Sequence, residues 1–263
     1  MTAVVLGLAV GLVMALTGAG GGILALPLLM VGAGLPLAQA APVGLLAVGL
    51  AAALGAALGL KAGAVRYKAA MLMAAAGIVL APAGVWLAGR LDQAWLGGLF
   101  ALLLFWVAWR SLMQARRGGA VAPDNPGAAC VRSERSGRFI WSRRCARALA
   151  VTGAGAGMLS GLLGVGGGFV IVPALTRHTN LDIGAIVPTS LAVIALVSVS
   201  GVASSALAGR ISWTLALPFA GAAMAGMLGG RALAARMAGP GLQIGFAAVS
   251  ALVACGMLVK ACA

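Results

Sequence analysis

The chain has 263 residues, of which 62% are hydrophobic and only 8% are charged. A soluble globular domain carries about 25% charged residues, so this composition excludes an ordinary water-exposed surface and favours a protein with several membrane spans. The net charge of +14 does not indicate nucleic-acid binding, because eight of the eighteen basic residues lie between Arg116 and Arg147 and the rest are scattered. That distribution is typical of the basic cytoplasmic loops of membrane proteins.

The apolar segments form two sets of four, separated by a basic hydrophilic stretch. The first segment, 3–31, is too long for one straight span of about 20 residues. Further spans are predicted at 40–60, 69–88, 95–112, 148–175, 183–207, 213–234 and 242–260. We therefore predict an all-α polytopic membrane protein of about eight segments, with a first repeat at 1–113, a linker at 114–147 and a second repeat at 148–263. The N-terminal segment has no positively charged start, which indicates a retained span rather than a signal peptide.

A glycine-rich motif interrupts the first segment of each set. Gly18-Ala-Gly-Gly-Gly22 precedes Pro27, and Gly164-Val-Gly-Gly-Gly168 precedes Pro173 at the same spacing. Each glycine costs a helix about 1 kcal/mol relative to Ala, so these segments are predicted to be broken or re-entrant at the motif. Close packing between helices is the alternative explanation for glycine in a membrane chain.

The second half repeats the first at a constant offset of 146 residues. Proline is scarce in the chain, and arginine is rare within the two repeats, so the pairs formed by these residues carry more weight than the glycine pairs. The matched pairs include Pro27 with Pro173, Pro42 with Pro188, Arg90 with Arg236, Gly11 with Gly157, Gly55 with Gly201 and Gly84 with Gly230. Repeats with interrupted segments at corresponding positions are typical of secondary transporters, and the interruptions indicate the binding site.

The interruptions are suited to holding an anion. Backbone N–H groups at the start of a resumed half-helix point into the gap, and the helix dipole makes that end partly positive. Thr189 and Ser190 carry hydroxyls that can donate hydrogen bonds to anion oxygens, or alternatively cap a helix or bond back to their own helix. The predicted substrate-binding residues are Gly18, Gly20, Gly21, Gly22, Pro27, Gly164, Gly166, Gly167, Gly168, Pro173, Thr189 and Ser190.

The remaining charged groups allow two interpretations each. Arg90 and Arg236 either steer anions or mark helix ends at the membrane surface. His178, the only histidine, either senses pH or is a solvated loop residue. All four acids lie outside the predicted spans, which argues against a cation carrier; proton coupling would involve the substrate itself, or Asp182 and His178.

No enzyme, cofactor or metal site is predicted. The four cysteines form no CxxC pair, and Cys130 and Cys145 are expected to be free thiols in the linker. No HExxH or GxSxG motif occurs, so we predict no catalytic residues. The dispersed methionines are expected to fill the core rather than bind a soft metal.

Loop charges bear on the symmetry of the repeats. Unbroken first segments would give four crossings in each half and parallel repeats. Re-entrant first segments would give three crossings in each half and inverted repeats. With the linker in the cytoplasm, the count of basic residues favours the inverted arrangement by a small margin.

The two glycine motifs with their prolines resemble the sulfite exporter TauE/SafE family. Pro188-Thr-Ser-Leu191 is similar to the Gly-Thr-Ser-Leu of that family, and Gly209-Arg-Ile-Ser-Trp213 fits its short loop. The resemblance covers nearly the whole chain and implies a multi-pass permease of the bacterial inner membrane that moves small anions outward. Pro188 replaces the usual glycine, and the first half has Pro42-Val-Gly-Leu45 with no hydroxyl pair, so the site is expected to be asymmetric.

We therefore predict a secondary transporter that exports sulfite, sulfoacetate or another organosulfonate through a site at the repeat interface. The expected partners are the anionic substrate and the lipid bilayer, with proton coupling and a homo-oligomer left open. The alternatives are a non-transporting membrane scaffold that assembles a partner complex and, with less support, a metal-cation transporter.

Overall fold

The computed structural model describes residues 2–17, 20–116, 130 and 142–237. Gly18, most of the basic linker and the predicted span at 242–260 lie outside the described residues. Within the described part of the chain the architecture is all-helical, with one isolated bridge between Cys130 and Thr179.

Nine α-helices and one 3₁₀ turn make up the described part of the chain. In the first half they are α1 (Thr2–Thr17), the 3₁₀ turn (Gly20–Leu24), α2 (Ala25–Gly32), α3 (Leu37–Lys61), α4 (Tyr67–Ala88) and α5 (Gln93–Arg116). In the second half they are α6 (Arg143–Leu163), α7 (Gly168–His178), α8 (Ile183–Leu207) and α9 (Trp213–Met237). Six of these helices, α3 to α6, α8 and α9, are long and apolar enough to cross a membrane.

The first segment of each half folds back on itself. In the first half, Gly21 lies against the backbone of Met14, and Gly32 lies against the side chain of Leu6. Residues later in the chain thus contact residues progressively earlier in α1, so α2 returns antiparallel to α1. In the second half, Gly167 lies against Ala156, and the disulfide-bonded linker connects the end of α7 to the start of α6.

Small residues allow two helix pairs from opposite halves to pack in parallel. Gly153, Gly157 and Gly161 of α6 lie against Met73, Gly77 and Ala81 of α4, each at a spacing of four residues. Gly7 and Gly11 of α1 lie in the same way against Phe219 and Ala223 of α9. Such close approach of backbones is the usual basis of helix association in membranes, where burial of apolar surface provides little driving force.

Helices α3 and α8 cross between these pairs and run antiparallel. Gly55 lies against Leu191 and Gly201 lies against Leu45, so rising residue numbers in α3 meet falling numbers in α8. These two contacts are related by the offset of 146 residues. The Gly7–Phe219 and Gly153–Met73 contacts are related in the same way.

The prediction of free thiols at Cys130 and Cys145 is wrong, because the structure joins them in a disulfide. Cys130 N–H also donates to the carbonyl of His178 at 2.9 Å. The linker is therefore fastened to both helices of the second hairpin. Spacing alone did not predict this pair, because a separation of 15 residues fits no recognisable cysteine motif.

Helix α6 begins five residues before the predicted start of the second repeat. Ser142 caps it, since the Ser142 hydroxyl accepts a hydrogen bond from Cys145 N–H at 3.0 Å. The basic residues of this first turn suggested a loop, yet Arg has good helix propensity and Ser is a favoured N-cap. Helix α8 has the predicted bounds.

Candidate functional site

The two glycine-rich breaks meet near the middle of α3 and α8. A Cβ atom at Gly22 would lie 3.0 Å from Val48 of α3 and 3.1 Å from the carbonyl oxygen of Val165 in the second break. A Cβ atom at Gly166 would lie 2.9 Å from both Val48 and Ile194 of α8. Val48 and Ile194 are themselves related by the repeat offset. Glycine at these positions therefore lets two irregular backbone segments approach each other between two long helices.

The second break depends on left-handed backbone. Gly164, Gly166 and Gly167 have φ values of 68°, 75° and 66°, a region where a side chain costs about 1–2 kcal/mol. The N–H groups of Val170 and Ile171 donate to the carbonyl of Gly167, so regular bonding of α7 starts there. The first N–H groups of α7 precede that bonding and lie at the partly positive end of an eleven-residue helix.

The first break has a different local geometry. Gly20, Gly21 and Gly22 lie in a 3₁₀ turn that leads directly into α2, and none of them has a positive φ. Thr17, just before the break, donates its hydroxyl proton to the carbonyl of Val13 at 2.7 Å. The first break therefore presents glycine backbone and apolar side chains.

Ser198 of α8 is a polar residue beside the second break, and sequence reasoning missed it. The side chain is 2% exposed, and its hydroxyl has no hydrogen-bond partner among the described residues. The hydroxyl oxygen lies 3.9 Å from the Cβ position of Gly166 and 3.3 Å from that of Gly49. A buried hydroxyl without a partner costs about 1–3 kcal/mol, so its presence beside the second break calls for a ligand or water.

A second buried hydroxyl without a partner belongs to Ser160, one turn before the break in α6. Its repeat equivalent is Met14, and the equivalent of Ser198 is Ala52. The signal available in the sequence was therefore a hydroxyl residue in one repeat that aligns with an apolar residue in the other.

The predicted hydroxyl pair lies apart from the breaks and is bonded to its own helix. Thr189 donates to the carbonyl of Ala185 at 2.6 Å, and Ser190 donates to that of Ile186 at 2.7 Å. The Thr189 oxygen also accepts the N–H of Arg66 at 3.0 Å. Nine residues of α8 separate Thr189 from Ser198, about 13 Å at 1.5 Å per residue.

The two prolines of the motifs lie within the returning helices. Pro27 is buried in the first half of α2, and Pro173 is half-buried in the middle of α7. The carbonyl of Pro173 accepts the hydroxyl proton of Thr176 at 2.9 Å. Both prolines are therefore placed along the arms of the hairpins rather than at the meeting point of the breaks.

The candidate steering residues also lie away from the breaks. Arg90 is exposed at the end of α4, where its guanidinium stacks 4.2 Å above the ring of Trp86. That arrangement suits a cation at a membrane interface. Arg236 lies in the last turn of α9, and its side chain is outside the described residues.

His178 and Asp182 lie at the end of the bundle opposite to Arg90. His178 is half-buried at the end of α7, and Asp182 is exposed at the position before α8. No group of three or more His, Cys, Asp and Glu side chains that could hold a metal ion occurs among the described residues. The meeting point of the two breaks can thus present the amides of α7 and the hydroxyl of Ser198 to a small ligand, but the described residues place no charged side chain there.

Basic residues are unevenly divided between the two ends of the described bundle. We call the end at which the linker joins α6 the linker end, and the end at which α4 and α8 finish the cavity end. The cavity end carries Arg90 and Arg210. The linker end carries Lys61, Arg66, Lys68, Arg110, Arg143, Arg144, Arg147, Arg177 and Arg231.

Comparison with known proteins gives a family but no individual relative. No curated protein and no solved structure matches the chain. The family model described as "Sulfite exporter TauE/SafE" matches residues 3–257. The chain therefore belongs to the sulfite exporter TauE/SafE family, which consists of membrane transporters and not enzymes.

Proposed function

We propose that this protein is a secondary transporter that exports a small sulfur-containing anion, such as sulfite, sulfoacetate or another organosulfonate. Family membership supports the class of substrate. The observation that supports this location of the substrate site is the meeting of the two glycine breaks, next to the Ser198 hydroxyl that has no partner among the described residues. In this proposal the substrate lies between the breaks, at the interface of the two repeats.

The site would hold the anion without a buried counter-charge. The amides at the start of α7 would donate to one side of the anion, and the Ser198 hydroxyl would donate to another. Hydrogen bonds to a charged partner contribute about 1.5–3 kcal/mol each, so a few such bonds suffice for reversible binding. A site that lacks a fixed cation binds an oxyanion weakly enough to release it, as a transporter requires.

We propose that the repeats are inverted and that both hairpins are re-entrant. Helices α3 and α8 are equivalent in the two repeats, and their contacts indicate that they run antiparallel. A two-fold axis that relates antiparallel helices is perpendicular to them, and it therefore lies in the plane of the membrane. Inverted repeats with a central site formed by broken helices are a recurring design of secondary transporters.

We propose that the linker end faces the cytoplasm of the bacterial inner membrane. Its excess of Lys and Arg over the cavity end supports this orientation. The proposed roles of Thr189 and Ser190 follow from their position at the same end. Thr189 would hold the loop that follows α3 through its bond to Arg66, and Ser190 would stabilise the start of α8 through its bond to Ile186.

Transport of labelled sulfite and sulfoacetate in proteoliposomes tests the function. The expected result is saturable flux that a second sulfonate inhibits, and flux measured with and without a pH gradient identifies proton coupling. Absence of flux for every anion, together with a protein partner that co-purifies, would support a membrane scaffold instead. Flux of a metal ion that requires Met or His178 would support the cation transporter.

A further inference from the structure

A cavity of about 290 Å³ connects the cavity end of the bundle to the second break. Ala41 and Gly164 are among its lining residues, and Arg210 lines it in the loop between α8 and α9. Gly164 is part of the break, so the cavity leads from the surface towards the proposed site. Its volume is near the lower limit of small-ligand sites and is ample for an oxyanion of a few heavy atoms.

The lining of this cavity is apolar except at a few positions. Among the described residues that line it, Arg210 supplies the only charged side chain, and Ser205 supplies a hydroxyl. The other lining residues are aliphatic or glycine, apart from Pro42. A single cation in a cleft with apolar walls concentrates anions there, because weak dielectric screening by the walls focuses its field.

The backbone of Arg210 is held by the turn that follows α8. Its N–H donates to the carbonyl of Ser205 at 3.0 Å, and the preceding Gly209 has a φ of 66°. Its guanidinium lies beside Gly89, at the end of α4, where a Cβ atom would be 2.7 Å from Nη2. Among the residues that the structure describes, no carboxylate forms an ion pair with Arg210, so its charge is available to a ligand.

We propose that Arg210 and Ser205 form an outer binding site for a small oxyanion, from which the anion passes to or from the second break. This proposal extends the proposed function, because the outer site would be the point where the exported anion leaves the protein. Arg90 differs at the same end of the bundle, since it stacks on Trp86 and does not line the cavity.

Thiol labelling of the full-length protein in detergent tests the outer site. Ala38 is exposed and lines the cavity, so Ala38→Cys introduces a reporter thiol there. The measurement is the ratio of labelling rates for a methanethiosulfonate that carries a sulfonate and one that carries a trimethylammonium group. The chain without Ala38→Cys gives the background from the native thiols.

We expect Arg210→Gln to lower this ratio about 10-fold, or about 1.4 kcal/mol for the two reagents together, because the cation favours the anionic reagent and disfavours the cationic one. Arg210→Lys should preserve most of the ratio. Lys68→Gln removes the same charge from an exposed position at the linker end and should leave the ratio unchanged. An unchanged ratio in Arg210→Gln would overturn the outer site.

Flux separates this proposal from the proposed function. In proteoliposomes, Arg210→Gln should raise the KM for sulfoacetate several-fold at low ionic strength with little change in maximal rate, and added salt should reduce the difference. A lower labelling ratio without flux of any sulfur anion would support the outer site and contradict the proposed function. Normal flux with an unchanged labelling ratio would support the proposed function and contradict the outer site.

Discussion

The two glycine breaks occupy equivalent positions in the repeats but differ in chemistry. The first is a 3₁₀ turn, and the residues Met14 and Ala52, at the offset of 146 from Ser160 and Ser198, are apolar. The second contains three left-handed glycines, and its corresponding neighbours are Ser160 and Ser198. The polar groups of the proposed site thus come almost entirely from the second half, although the helices around it are related by the sequence offset. A transport site at a symmetric interface need not bind its substrate symmetrically.

The largest expected effect comes from filling the left-handed part of the second break. Gly167→Ala should destabilise the protein by about 2–5 kcal/mol, because φ is positive and the new methyl group meets the backbone of Ala156. Gly21→Ala, at the equivalent position, meets the backbone of Met14 without the φ penalty and should cost less.

Melting temperature and monodispersity in mild detergent measure both variants. Gly155→Ala is the matched control, because a Cβ atom at Gly155 meets nothing within 4 Å. Equal stability of Gly167→Ala and Gly155→Ala would contradict the described geometry of the break.

Loss of the disulfide should have the next largest effect. Replacing Cys130 and Cys145 by Ser releases the linker from the second hairpin but leaves the first hairpin untouched. A bridge across 15 residues contributes up to about 3 kcal/mol, so the melting temperature should fall while flux at low temperature persists. A reductant should lower the melting temperature of the wild type and leave that of the double variant unchanged. Any other result would contradict a disulfide between Cys130 and Cys145.

The same pair tests the proposed orientation. Disulfides are rare in the cytoplasm, where thiol pools keep cysteines reduced, yet the linker end is proposed to lie there. We therefore expect alkylation in freshly lysed cells to find the two cysteines as thiols, with the bond forming after purification in air. Full protection from alkylation in cells would place the linker end on the oxidising side.

Adding a methyl group where the two breaks meet should impair transport more than folding. Gly22→Ala places a methyl group about 3 Å from Val48 and from the carbonyl of Val165, where the substrate is proposed to bind. We expect flux to fall about 10-fold with a shift of only a few degrees in melting temperature. Gly44→Ala makes ordinary contacts of 3.6 Å or more and should retain flux. Equal flux in the two variants would indicate that the first break is not part of the substrate site.

The smallest effect is expected from moving the hydroxyl between repeats. Ala52→Ser in a Ser198→Ala background places a buried hydroxyl at the repeat-equivalent position. If the breaks form one pseudo-symmetric site, this variant should recover part of the flux that Ser198→Ala loses. Flux no higher than in Ser198→Ala would indicate that only the second break contacts the substrate.

The sequence predicted the scaffold better than the chemistry. Helix breaks at Gly20–Leu24 and Gly164–Gly167 followed from glycine propensity, and the bounds of α8 followed from its apolar length. The start of α6 was missed because the charged residues Arg143 and Arg144 were assigned to the basic linker. They occupy the first turn of the helix, after a serine cap. The disulfide was missed because pairing depends on three-dimensional proximity.

The polar residues near the proposed path were harder to recognise. Ser198 looks like one of several serines in an apolar helix, and only its burial without a partner distinguishes it from Ser204, which bonds back to Ser200. Arg210 looks like a loop cation, and it differs from Arg90 because Arg210 lines the cavity while Arg90 stacks on Trp86. Sequence spacing carries no information about burial, hydrogen-bond satisfaction or cavities.

Equilibrium binding of labelled sulfoacetate to Ser198→Ala tests the central claim most directly. The substitution removes a hydroxyl that has no described partner, so stability should stay constant or rise while affinity falls about 10- to 100-fold. Ser204→Ala, one and a half turns further along α8, should bind as the wild type does. Wild-type affinity in Ser198→Ala would contradict a substrate site between the two breaks.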